Sequence, residues 1–154
     1  MTQYALVYIN MEQVDIIKFK KEDATFIREH FSSYFSDDSI ESIEKRIDYW
    51  QNTLGFCITY NGEKVGMISL SDKQDGRLCW GVMIIEKYRR KGIARKAFEL
   101  IRGRAKERGY SIIASSCAAG NVASVHLHEK VGFKRVKKEI NSVGNEMYRW
   151  EMEI

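Results

Sequence analysis

The sequence predicts a mixed α/β (α+β) domain, and three observations carry that prediction. Apolar residues recur at strand spacing in some segments and at helical spacing in others. These segments follow the order strand, two helices, three strands, helix, strand, helix, two strands, which is not the strict βαβ alternation of a doubly wound sheet. The 154 residues contain no proline, and no linker, repeat or low-complexity tract interrupts them. One domain over residues 1–154, a mixed central sheet of about seven strands with about four helices, accounts for the whole pattern.

Each element has its own reason. Val14 to Phe19 alternates weakly, as a strand does. Asp23 to Phe35 places Ala24, Ile27, Phe31 and Tyr34 on one helical stripe. Asp38 can cap a second helix, with Glu41 three residues on in a capping-box relation. That helix carries Ile40, Ile43, Ile47, Trp50 and Leu54. Phe56 to Tyr60 and Lys64 to Leu70 flank Asn61-Gly62, a strong hairpin signature. Leu78 to Ile85 is nearly all apolar, as a strand buried on both faces should be. A long helix follows Gly92, with Ile93, Ala94, Ala97, Phe98, Ile101 and Ala105 at helical spacing, and Gly109 ends it. Ser111 to Ser116 is a short strand. Asn121 can cap a helix that stops at Gly132. Phe133 to Ile140 and Glu146 to Ile154 read as the last two strands.

Composition narrows the class. Hydrophobic residues are 44% and charged residues 30% of the chain, the balance of an ordinary globular protein. Cys57, Cys79 and Cys117 are odd in number and form no C-x-x-C pair. This argues against a disulfide framework or a zinc site and for a reducing, cytoplasmic setting. The apolar run Tyr4 to Ile9 is too short for a signal-peptide core, and no segment approaches a membrane span. The net charge of +4 is mild, but it is unevenly placed. Between residues 87 and 108, ten Lys and Arg face only Glu99 and Glu107. Nucleic acid and a phosphorylated cofactor are both anions that such a stretch could meet. The nucleic-acid reading lacks interleaved aromatics and any binding motif.

The most informative stretch is Tyr88-Arg89-Arg90-Lys91-Gly92-Ile93-Ala94-Arg95, between a buried strand and an amphipathic helix. A helix N-terminus presents free N–H groups and the positive end of its dipole, a ready site for anions. Gly92 has no Cβ to hold a phosphate away from the backbone. Several diverging N–H groups suit a pyrophosphate. No Walker P-loop or three-glycine dinucleotide fingerprint is present.

Arg89-x-x-Gly92-x-Ala94 resembles the [QR]-x-x-G-x-[GA] motif of the GCN5-related N-acetyltransferase (GNAT) superfamily. Asn121-Val-Ala-Ser-Val-His-Leu-His128-Glu-Lys-Val-Gly-Phe133 resembles its second motif, N-x-x-[AS]-x-x-x-Y-x-K-x-G-F, and the element order matches along essentially the whole chain. The resemblance implies the GNAT acyl-CoA acyltransferase fold and an N-acetyltransferase that uses acetyl-CoA as cosubstrate and no metal. It implies that backbone groups of Val82, Met83 and Ile84 hold the pantetheine arm, one N–H polarising the thioester carbonyl. The turn Arg89, Arg90, Lys91, Gly92, Ile93, Ala94 and Arg95 would hold the pyrophosphate. Asn121 would bond the pantetheine, with Ser124 and His128 on its helix face. His126 faces solvent.

Three positions depart from the family pattern. His128 stands where many relatives have a tyrosine that protonates the departing thiolate, and it is the candidate proton donor. Tyr110 and Tyr148 are the substitutes. Ser116 stands where some relatives carry a glutamate base, so a water chain or an already neutral amine would serve. Glu86 stands where a proline is common. In this family the segment between the first two helices often walls the acceptor site, which here offers Phe31, Tyr34 and Asp37 to a cationic amine. The acceptor would be a primary amine of a small molecule or a protein N-terminus. A CoA-binding module with little catalysis, an oxygen acceptor and a different acyl-CoA are the alternatives. A homodimer is compatible with the sequence.

Overall fold

The computed structural model describes residues 12–72 and 75–154; the apolar run Tyr4 to Ile9 lies outside them. The elements are β1 (Val14–Lys18), α1 (Ala24–Phe31), α2 (Ile40–Gln51), β2 (Leu54–Tyr60), β3 (Glu63–Asp72), β4 (Arg77–Ile84), α3 (Ile93–Glu107), β5 (Ile112–Ala118), α4 (Val122–Val131), β6 (Lys134–Ile140) and β7 (Glu146–Glu153). Among the described residues seven strands form one sheet in the order β1-β2-β3-β4-β5-β7-β6. Every pairing is antiparallel except the parallel β4–β5 contact.

Strand alternation sends side chains to two cores. Phe56, Ile58, Ile68, Leu78 and Trp80 pack with Ile93, Ala97, Phe98 and Ile101 of α3. Cys57 and Met67 pack on the opposite face with Ile27, Phe31, Ile43, Ile47 and Trp50 of α1 and α2. Asn61 and Gly62 turn the β2–β3 hairpin with φ of 50° and 85°, the doubly positive geometry that an Asn-Gly pair adopts most readily.

Several boundaries move. The helix expected from Asp23 to Phe35 is three pieces: a 3₁₀ turn at Lys21–Asp23, α1, and a second 3₁₀ turn at Ser32–Tyr34. The break follows Phe31, whose φ of −132° is not helical, and it leaves Tyr34 62% exposed, off the buried stripe. Ser39, not Asp38, caps α2. Its Oγ accepts from the Ser42 N–H at 3.2 Å, while Asp37 Oδ1 accepts from the Ser39 N–H at 3.0 Å. The Asp38–Glu41 capping box therefore does not form. Leu54 begins β2 rather than ending α2's stripe.

Candidate active site

The parallel β4–β5 contact is short. It joins Arg77 to Ile112, Leu78 to Ile113 and Cys79 to Ala114, and then stops. Beyond it β4 stays bonded to β3 as far as Ile84, paired with Gly66, and β5 stays bonded to β7 as far as Ala118, paired with Met147. The sheet thus forks, with Trp80–Ile84 on one arm and Ser115–Ala118 on the other. This corrects the reading of Leu78 to Ile85 as buried on both faces: Gly81 is exposed, and Val82 and Met83 are half-buried.

Backbone parity decides which groups look into the fork. The Ile85 N–H donates to the Val65 carbonyl at 2.8 Å. In an antiparallel ladder, residues bonding one neighbour alternate with residues facing the other. Met83 therefore spends its backbone on β3, whereas Trp80, Val82 and Ile84 face the gap. Arg89 Nε takes the Ile84 carbonyl at 3.0 Å, which braces the loop after the strand. Free backbone groups along a strand edge accept an extended ligand as an added strand. Val82 meets that requirement with both backbone groups and Ile84 with its N–H alone, its carbonyl being held by Arg89; Met83 does not.

Both α3 and α4 begin at the open end of the fork. At α3, Gly92 is the N-cap with φ of 76° and provides no side-chain cap. The first intrahelical bond is Lys96 N–H to Gly92 C=O at 3.2 Å, so the N–H groups of Ile93, Ala94 and Arg95 precede the ladder. A Cβ at Gly92 would meet nothing within 4 Å, so the space over the turn is open to a ligand. Arg90, Lys91, Arg95 and Lys96 are exposed and make no ion pair among the described residues. The turn rests on the β2–β3 hairpin: the Tyr88 hydroxyl donates to Glu63 Oε2 at 2.7 Å, and Lys91 lies over the Tyr60 ring. Free N–H groups, unpaired cations and open space fit a pyrophosphate.

At α4, Asn121 Oδ1 accepts from the Ser124 N–H at 3.1 Å. Asn121 is therefore the helix cap, and its amide NH₂ has no partner among the described residues. His126 is exposed and Val125 packs on the core. His128 is 3% exposed. Its Nδ1 lies 2.7 Å from the Ser124 carbonyl, which only an N–H can satisfy. That leaves Nε2 as an acceptor, engaged by the Ser115 hydroxyl at 2.8 Å and by Trp80 Nε1–H at 3.2 Å. Burial lowers its pKa below the ordinary 6.5, the Ser124 carbonyl opposing only in part. His128 is thus neutral with both nitrogens occupied, and the geometry does not support it as the thiolate's proton donor. Of the substitutes, Tyr110 donates its hydroxyl to Asp72 at 2.8 Å. Tyr148 pairs with Cys117 on the β5 arm.

The acceptor candidates differ in exposure. Phe31 is 2% exposed and lies edge-on to Phe26, so its ring belongs to the core. Tyr34 and Asp37 are exposed. The Asp37 carboxyl is held below its usual value chiefly by the Ser39 N–H. Ser116 and Glu86 are exposed. Trp80 and Ser115 carry no local sequence signal as site residues, because only the fold brings them onto His128.

The model of the acetyltransferase (GNAT) family matches residues 24–133. The chain belongs to the GNAT acetyltransferase family. Members of this family are acyl-CoA-dependent N-acetyltransferases, and the two resemblances in sequence begin at the fork's open end. Solved structures agree in fold. An N-acetyltransferase from Staphylococcus aureus Mu50 is 21% identical, with 92% of this chain and 98% of that one covered at a TM-score of 0.79. A putative acetyltransferase from Salmonella typhimurium, solved with its cofactor acetyl-CoA, is 17% identical, with 92% and 94% covered at 0.76. A ribosomal L7/L12 alpha-N-protein acetyltransferase in complex with coenzyme A is 12% identical, with 92% and 94% covered at 0.78. A sequence search of curated proteins gives no match. Among the described residues no helix is long and apolar enough to cross a membrane, and no three His, Cys, Asp or Glu side chains are placed to hold a metal.

Proposed function

We propose that this GNAT protein transfers an acetyl group from acetyl-CoA directly to the primary amine of a small molecule or a protein N-terminus. The observation that carries this is the forked sheet with the uncapped α3 N-terminus at its mouth. Acetyl-CoA, when bound, supplies an activated acetyl thioester. The protein's part is to hold and orient. The Ile93, Ala94 and Arg95 N–H groups take the pyrophosphate, with Arg90 and Lys91 adding charge. Val82 and Ile84 provide backbone bonds to the pantetheine arm, and one of their N–H groups polarises the carbonyl to be attacked. The Asn121 amide reaches the same arm while its oxygen caps α4. Among the described residues the one buried carboxylate, Asp23, is paired with Lys64, so the amine's proton leaves through water or the amine arrives neutral. The three free cysteines suit a reducing, cytoplasmic setting.

The test is a panel of amines with acetyl-CoA, following free thiol. Thiol release that needs both a particular amine and an intact cradle supports the reading. Tight CoA binding with no amine-dependent release favours the second reading, a CoA-binding module, which the spent nitrogens of His128 make worth testing.

A further inference from the structure

We propose that His128 is the pin that sets the opening of the fork, a positioning residue that works only as the neutral imidazole. This rests on the fork being the acetyl-CoA site.

The last bonded pair of the parallel contact is Cys79 and Ala114. The next residue on each arm is Trp80 and Ser115. Both are buried, and both side chains donate to the same atom, Nε2 of His128. Where backbone bonding between the arms ends, a side-chain bridge through α4 begins. The bridging ring is fixed on every side. It stacks on Trp150 of β7 at 5.1 Å and 17° between planes, and meets Trp80 and Phe133 edge-on at 5.5 and 5.2 Å. Its Nδ1–H is tied to Ser124, one turn from the Asn121 cap. One imidazole therefore links the two arms to each other and to the N-terminus of α4.

The bridge requires an acceptor. The Ser115 hydroxyl can rotate to accept instead, but an indole N–H only donates. A proton on Nε2 would face the Trp80 N–H and break that half of the bridge. The groups facing the ring are Trp80 from β4, Ser115 from β5, Trp150 from β7, Phe133 after α4, and Ser124 from α4 itself. None of them is charged, so no anion favours the imidazolium, in keeping with the lowered pKa. The pin is in place at neutral pH and is lost as pH falls through the pKa of His128. A general acid would behave oppositely, losing activity as pH rises.

Two variants with acetyl-CoA calorimetry test this. His128→Gln keeps a carbonyl acceptor without titrating. His128→Phe keeps a ring and strands two buried donors. Near pH 8, His128→Phe should weaken acetyl-CoA binding about tenfold, and His128→Gln should stay within about threefold of wild type. The CoA phosphate also titrates near pH ~6, so the decisive quantity is the difference between wild type and His128→Gln as pH falls below 6.5 through the whole acid range in which both stay folded. Wild type should lose more affinity than the glutamine variant. Equal pH profiles for these two, or full affinity in a folded His128→Phe, overturn the pin.

The Trp80 indole N–H resonance, assigned by Trp80→Phe, reads the bridge without any cosubstrate. It should shift as His128 protonates and stay fixed in His128→Gln. An unmoved wild-type resonance overturns the pin whatever binds in the fork. A moving resonance with no acetyl-CoA binding overturns the functional reading and leaves the pin standing.

Discussion

Asp23 and Lys64 form an ion pair that ties the start of α1 to β3, with the carboxylate 1% and the ammonium 39% exposed. Asp23 also accepts the Lys20 N–H at 2.8 Å, so its charge is shared between a turn and a strand. The Lys64 ammonium is held above its usual pKa, first by its hydrogen bond to Asp23. Removing one partner of a buried pair leaves an uncompensated charge, whereas removing both does not. Lys64→Met should cost about 2 kcal/mol in urea unfolding, a figure set below the fully buried case because the lysine reaches solvent. The double variant Asp23→Asn, Lys64→Met should recover part of that loss. If the single variant is as stable as wild type, the pair contributes nothing.

The cradle gives a sharper separation of binding from folding. Gly92 has a left-handed φ with open space where a Cβ would stand. Gly92→Ala should cost about 1 kcal/mol of strain and leave the anion site accessible. Gly92→Glu adds the same strain plus a negative charge at a site built for phosphate, and should weaken acetyl-CoA binding at least tenfold. Calorimetry on both variants checks this. Equal affinities would mean that the phosphates lie elsewhere.

Gly66 tests the β4 arm from behind. It pairs with Ile84, and a Cβ there would overlap the Met83 carbonyl oxygen. The obstacle is backbone, which cannot swing aside as a side chain can. Gly66→Ala should push β3 from β4, lower stability by roughly 2 kcal/mol and raise the acetyl-CoA KM. Thermal unfolding and kinetics on one preparation show whether both change together.

The two motifs and the element order were readable from the chain because each is local. Asn61-Gly62 dictates its own turn, and Gly92 and Asn121 mark the helix starts that the structure shows. The fork was not readable. Leu78 to Ile85 is apolar whether a strand is sandwiched by protein or lines a cofactor groove, and only the loss of β4–β5 register after Cys79 tells them apart. The cap of α2 is not decided locally, because Asp37, Asp38 and Ser39 are all good capping residues and the choice depends on which backbone N–H groups each one reaches. His128 was located by its motif but not understood. Its partners Trp80 and Ser115 lie 48 and 13 residues away in sequence, so nothing local reveals that both ring nitrogens are spent.

The segment between α1 and α2 offers the last test, of the acceptor side. Asp37 is exposed and its carboxyl titrates below the usual value, so it is ionised at neutral pH. One of its oxygens accepts the Ser39 N–H, and a carboxamide oxygen can make the same bond. Asp37→Asn therefore keeps the turn that leads into α2 and removes only the charge. If Asp37 helps to draw a cationic amine, the variant should raise the acceptor KM about threefold and leave the acetyl-CoA KM unchanged. Added salt should shrink the difference, because an exposed charge is screened. Neutral pH is the right condition, since the charge being removed is fully present there and fades only as pH falls through the lowered pKa. An acceptor KM equal to wild type at low salt would confine Asp37 to its turn and move the acceptor site away from this segment.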